Sequence, residues 1–392
     1  MPGLIQIKDE EQKNALNSWA KKGFRGSIIA GTGFGKSRCG VIAVGKLLAA
    51  KPEAQAIVLV PTTQLQEQFH EEFHKWGYED CLDRVDILCY QSAYKLTGQT
   101  YEIAVADEVH MGLSVEYRKF FANNTCNKLL CMTATLPEEP EYKAKLHMLA
   151  PTIYHITLDD CVQLGLVSPY EIYCVPVTLT EAERADYQTI NRSFVDAKVQ
   201  LGEDAFYEAS RIIKGGSSSP FLKKTAAQFY KAIRDRKKIV DFASNKIACF
   251  KHLVVNNLDQ RIISFGGANA FTDTLCESVA PFALAYHSKK TKKQKEKALK
   301  DFREGTINVL CSTKALNQGF DVPDANIGII CGLTSKSLSM IQRVGRLIRF
   351  QEGKTSKVIV LYVANSQEEK WLKQSVKTLT NIKWVTTLKD IP

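Results

Sequence analysis

The chain has 392 residues, 45% hydrophobic and 24% charged, which exceeds one ordinary domain and supplies two or three cores of soluble-protein composition. The charged start "MPGLIQIKDEEQK", the lack of any apolar run near the roughly 20 residues that span a bilayer, and eleven cysteines without a CxxC pair argue against a secreted, membrane, disulfide-framed or zinc-ribbon protein. Net charge is −1 over residues 1–155, −2 over 156–235 and +13 over 236–392, so a polyanion is expected on the last third, inside the cytoplasm of the cell or, for a viral source, of the host.

In chain order the first strong signal is "AGTGFGKS", residues 30–37, between the apolar strand "SIIA" and the helical stretch "RCGVIAVGKLLAA". Backbone N–H groups of Gly31, Thr32, Gly33 and Gly35 can cradle phosphate at a helix N-terminus, Lys36 can reach the outer phosphates, and the Ser37 hydroxyl can hold Mg²⁺. Ala30 stands where this loop pattern usually has its first glycine. The strand "AIVLVP" follows, ending at Pro61, and then a helix begins with "TTQLQEQF".

That helix carries "HEEFH", residues 70–74, which with Gly77 and Asp80 has the form of a zinc-protease signature. Leu65, Phe69, Phe73 and Trp76 recur at helical spacing and make a buried stripe, with His70 and His74 at its edge. Histidines near a helix C-terminus are favoured by the dipole without a metal, and Gly77 is an ordinary helix stop. A zinc metalloprotease is therefore only the outside alternative.

The strands "VDILCY", "EIAVADE" and "KLLCMTAT" come next. The second ends in Asp107, suited to Mg²⁺, and Glu108, placed to orient and activate water. A capping box, Thr180 with Glu183, opens a helical stretch, and the turn "GGSSSP" precedes another helix over 221–235. "KKIVDFAS", "RIISFGG", "FALAYHS", "INVLCST", "NIGIICG" and "KVIVLYVA" read as a second strand series. The expectation is an α/β protein: two doubly wound parallel-sheet domains over 1–155 and 236–392, with a connecting strand and accessory helices over 156–235.

"ADEVH" following "GTGFGKS" resembles the motif pair of the superfamily 2 DEAD/DEAH-like helicases, in a DEVH-box spelling. "PTTQL" at 61–65, "CYQS" at 89–92, "TAT" at 133–135, "HSKK" at 287–290, "STKALNQGFDVPD" at 312–324 and "QRVGRLIR" at 342–349 look like the later motifs in order. The DEVH and "QRVGRLIR" spellings are similar to those of XPB-like double-strand DNA translocases and phage recombination helicases.

The resemblance implies two RecA-like domains, ATP and Mg²⁺. Gln12 would read adenine; Gly319 and Asp321 would contact nucleotide from the second domain; Gln342, Arg346 and Arg349 would reach the γ-phosphate across a cleft. Lys36, Glu108, Arg346 and Arg349 would carry hydrolysis, and His110, Thr133, Ala134 and Thr135 would couple it to nucleic acid. Pro61, Thr62, Gln91, His287, Ser288, Lys289, Lys290 and Thr313 would face the phosphate backbone. Of the seven lysines from 289 to 300, most read as a solvated helix face. The implied activity is ATP-driven movement on, or remodelling of, duplex or branched DNA, in a chain that can act as a monomer. A motor subunit of a restriction or repair assembly without strand separation, and an RNA helicase, remain as alternatives.

Overall fold

A computed structural model describes residues 4–137, 139–216, 219–313, 325–334, 344, 355–377 and 379–392. The chain divides into two compact units, the first running to Tyr170 and the second holding 171–313, 325–334 and 357–392. The residues from 171 to 235 are thus part of the second compact unit.

The first unit is built on six strands: β1 (Arg25–Ala30), β2 (Ala56–Val60), β3 (Val85–Cys89), β4 (Thr100–Ala106), β5 (Thr125–Thr133) and β6 (Thr152–Ile156). All pair in parallel, in the order β3-β2-β4-β5-β1-β6. Helices cover both faces, which is why β2 and β4 are almost continuously apolar and buried. α1 (Leu4–Lys21) is fastened to the sheet by Trp19, whose Nε1 donates to the Leu129 carbonyl at 2.9 Å. α2 (Lys36–Ala50) and α3 (Thr63–Lys75) follow β1 and β2. Because β5 lies between β1 and β4, with Ile29 opposite Thr133 and Ala106 opposite Cys131, the C-terminal ends of these three strands open side by side. Ligand sites of open parallel sheets form at such a point.

The second unit contains β7 (Tyr170–Val177), β8 (Ile262–Phe265), β9 (Ala283–Tyr286), β10 (Val309–Ser312), β11 (Ile327–Ile330), β12 (Ser356–Val363) and β13 (Ile382–Trp384), in the order β13-β7-β12-β11-β8-β10-β9. Phe250, Phe271, Leu275, Val309, Ile329 and Leu361 are among its core residues. Each unit has the RecA-like layering expected from sequence, a parallel sheet between helices.

One strand of the second series is corrected. "KKIVDFAS" is not a strand, since its first five residues complete the helix Pro220–Asp241, beyond the expected end at 235. Val240 extends the buried stripe of Ala226, Phe229 and Ala232, and this helical period outweighs the β-branched pair Ile239 and Val240.

The helices Glu181–Leu201 and Pro220–Asp241 form a hairpin with a small core of its own around Phe229. The Arg236 guanidinium lies 4.2 Å from the Phe194 ring, Phe194 stacks on Phe229 at 5.3 Å, and Phe229 meets Phe206 edge-on at 5.0 Å. Phe206, Tyr207, Ile213 and Phe221 are exposed at the far end. At the near end Glu183 completes the Thr180 capping box and also accepts from the Ser244 N–H and hydroxyl, both at 2.8 Å, while Tyr187 donates to Gln367 at 2.5 Å.

Lys246 and Glu368 form a fully buried ion pair, Nζ to Oε2 2.7 Å. Lys246 also donates to the Cys331 carbonyl at 3.1 Å, and Glu368 accepts the Val363 N–H at 3.0 Å. Breaking such a pair strands a charge, whereas replacing both members with apolar groups need not. Lys246→Met should therefore cost about 3–5 kcal/mol in urea unfolding. Adding Glu368→Leu should recover most of that loss, and a double variant no more stable than the single one would rule out stranded charge as the cause.

Candidate nucleotide site

β1 ends at the buried Ala30, and the chain turns through residues 31–35 before α2 begins at Lys36. Gly33 and Gly35 have φ of +94° and +90°, values that side chains other than glycine rarely adopt. A Cβ on Gly35 would also stand 2.3 Å from Gln12 Nε2. α2 opens without a side-chain cap, so its first-turn N–H groups face the loop with the positive end of the helix dipole. Such a cradle suits phosphate. Lys36 Nζ donates to the Ala30 carbonyl at 2.8 Å, inside the loop itself.

Asp107 and Glu108 stand at the end of β4. Asp107 is 5% exposed; its N–H bonds the Leu59 carbonyl at 2.9 Å, and its own carbonyl accepts from the Tyr90 hydroxyl at 2.8 Å. Burial, and then the charge of Glu108, push its carboxyl up to about 7, with Lys36 opposing them. A divalent cation would relieve that carboxylate, so Asp107 with Ser37, half-buried at the second residue of α2, fits Mg²⁺.

Glu108 has φ +44°, an uncommon conformation for a non-glycine residue and a form of strain found at functional sites. Its Oε2 lies 3.4 Å from both His110 Nδ1 and Thr133 Oγ1, and these two are 3.3 Å apart. Thr133 Oγ1 is also 3.1 Å from the Thr135 carbonyl, so its single proton has two acceptors. Ala134 is buried, and the Thr135 hydroxyl is buried with no partner among the described residues. The ends of β4 and β5 are thus joined by side chains that share protons.

Gln12 is 2% exposed, with Nε2 donating to the Phe34 carbonyl at 2.7 Å and Oε1 accepting from Arg38 at 2.9 Å. The sequence reading missed Arg38. Its guanidinium also pairs with Asp9 and lies 4.0 Å from the Trp76 ring.

Among the residues expected to face nucleic acid, Pro61 is buried, Thr62 caps α3 by accepting from the Leu65 N–H at 3.3 Å, and Gln91 is exposed on a short helix after β3. In the second unit Ser288 and Lys289 are exposed, and Lys290 pairs with Asp273 at 2.9 Å. His287 and Thr313 are interior: His287 holds Asp273 at 2.9 Å through Nε2, and Thr313 is 5% exposed. Gly319, Asp321, Gln342, Arg346 and Arg349 lie outside the described residues.

In "HEEFH", Phe73 joins Leu65 and Phe69 in the core, while His70 and His74 are exposed. Glu72 accepts from Trp76 Nε1 at 2.6 Å. Among the described residues no three His, Cys, Asp or Glu side chains are grouped to hold a metal, and no helix is long and apolar enough to cross a membrane.

Residues 8–138 match the family model for the type III restriction enzyme res subunit, and 245–351 match the helicase conserved C-terminal domain. The chain belongs to the superfamily 2 helicases. It is 25% identical to the DNA 3'-5' translocase XPB2 of Sulfurisphaera tokodaii over 88% of this chain and 79% of that one. Against the DNA 3'-5' helicase XPB of Mycobacterium tuberculosis it is 24% identical over 88% of this chain, but it spans only 58% of that protein's length. Among solved structures, the Pyrococcus furiosus Hef helicase domain shares its fold at TM-score 0.60 and 16% identity, covering 95% of this chain and 98% of that one. The helix that carries "HEEFH" lies within the first of these family matches.

An acid whose pKa is higher in the folded chain binds more protons folded than unfolded between the two values. For Asp107 that window runs from its ordinary 3.8 to about 7, and stability from this group falls as pH rises across it. Asp107→Asn should remove that part of the decline, so its melting temperature relative to the parent should climb from pH 4 to pH 7. A constant offset would show that Asp107 does not titrate in this window.

Proposed function

We propose that this superfamily 2 chain couples ATP hydrolysis to movement on, or remodelling of, duplex or branched DNA. The observation that carries this reading is the convergence of the phosphate cradle, Asp107 with Glu108, and Thr133 to Thr135 on three adjacent strand ends. Lys36 and the loop N–H groups would hold the phosphates, Ser37 and Asp107 would hold Mg²⁺, and Gln12 would meet the base. Glu108 is suited to orient water and take its proton. Mg²⁺ supplies neutralising charge to the phosphate oxygens. Gly319, Asp321, Gln342, Arg346 and Arg349 complete the proposed site, the arginines supplying charge to the γ-phosphate. Through Thr133 and His110, a change at Glu108 reaches the end of β5.

DNA is favoured over RNA because the XPB relatives are named for DNA. The excess of positive charge in the last third suits a phosphate backbone. Ser288, Lys289, Thr62 and Gln91 are the proposed contacts, in a monomer acting in the cytoplasm. Unwinding by the isolated chain would separate a helicase from a motor that works without strand separation.

Lys36→Ala should weaken ATP binding and abolish hydrolysis. Glu108→Gln should keep ATP bound while lowering kcat about 100-fold or more. Equal loss of binding in both variants, by fluorescent-nucleotide titration, would refute the assigned roles.

Duplex, forked and single-stranded DNA and RNA compared over a salt series test the substrate. DNA should stimulate ATPase activity strongly and without sequence preference, with a steep fall in salt. Replacing Lys289, Lys290, Lys292 and Lys293 together should flatten the salt slope. Preferential stimulation by RNA would reject the DNA assignment, and no stimulation by any polynucleotide would reject the helicase reading.

A further inference from the structure

We propose that Arg38 is a positioning residue that makes the site selective for adenine over guanine, by locking the orientation of the Gln12 amide. This rests on the reading of Gln12 as the base-contacting residue. Arg38 directly follows Ser37 on α2, and its Nη1 donates to Gln12 Oε1 at 2.9 Å. The other end of the amide donates from Nε2 to the Phe34 carbonyl at 2.7 Å. A guanidinium can only donate and a carbonyl can only accept, so the two partners fix which end of the amide is oxygen.

Among the described residues nothing else bonds this amide, which leaves it one N–H and one oxygen lone pair. Adenine offers the complement on one edge, an N7 acceptor beside an N6 amino donor. Guanine offers two acceptors there, N7 and O6. A locked amide meets guanine O6 with its own oxygen. A free amide can rotate and offer both of its N–H groups instead.

The lock itself is braced. The Arg38 guanidinium lies 4.0 Å from the Trp76 ring and pairs with Asp9, and Trp76 is held by its bond to Glu72. The segment that mimics a zinc-protease motif therefore supplies the wall behind the arginine. Arg38 Nε is buried without a partner among the described residues, a placement that stability alone does not favour.

The test compares kcat/KM for ATP and GTP in the full chain with saturating duplex DNA. Arg38→Met should lower the ATP-to-GTP ratio about tenfold, mainly through KM for ATP, with kcat changed by less than about twofold. Trp76→Leu should lower the ratio part-way and Trp76→Phe should restore it, which also carries the test if Arg38→Met does not fold. Gln12→Ala is the control. If it lowers the ratio while Arg38→Met and Trp76→Leu keep the parent value, or lose kcat at an unchanged ratio, the lock is overturned. If Gln12→Ala itself keeps the parent ratio, the base-reading role of Gln12 falls and the lock falls with it.

Discussion

The candidate nucleotide site turns on an electrostatic imbalance at the end of β4. Asp107 is carried into the interior by the strand and fixed there through its backbone, by Leu59 on one side and Tyr90 on the other. Its side chain has no say in the matter. The neighbouring carboxylate raises its cost further, and Lys36, which opposes both effects, bonds the loop carbonyl of Ala30. The folded chain thus holds a carboxyl pushed up by burial and by the neighbouring charge, which a bound cation would relieve.

The remaining geometry follows from where that strand end lies. With β5 between β4 and β1, an acid at the end of one strand, hydroxyls at the end of the next and a glycine loop at the end of the third become neighbours without a long excursion of backbone. The left-handed backbone of Glu108 aims its carboxylate at His110 and Thr133. Since one Thr133 proton is shared between Glu108 and the Thr135 carbonyl, the β4 and β5 ends cannot rearrange independently.

Much of this was legible in the sequence because strands buried on both faces are short continuous apolar runs, as β2 and β4 are. β6 escaped notice because it is half-exposed and broken by Tyr154 and His155, and β13 because it has only three residues. "KKIVDFAS" was misread because the two apolar pairs Ile239–Val240 and Phe242–Ala243, separated only by Asp241, fit either period, and only the partners of Val240 decide. Among the described motif residues Asp107, Glu108 and Thr133 stand at strand ends, but side-chain directions could not be read from the sequence. His287 and Thr313 turn inward where a strand-end loop suggests exposure. Arg38 could not be found from its neighbours in sequence, since its partners come from Gln12 on α1 and Trp76 at the end of α3, and only the fold brings these together.

The helical hairpin of the second unit has a mechanical consequence. Its two helices share a core around Phe229, and contacts run from the Arg236 guanidinium over the Phe194 ring through Phe229 to Phe206. The near end is tied at two points, Glu183 to Ser244 and Tyr187 to Gln367. A push on the exposed aromatic end would therefore reach the helices beginning at Ser244 and Gln367 through packed side chains. The arm transmits force as a lever, where a loose tether of the same length would only absorb it.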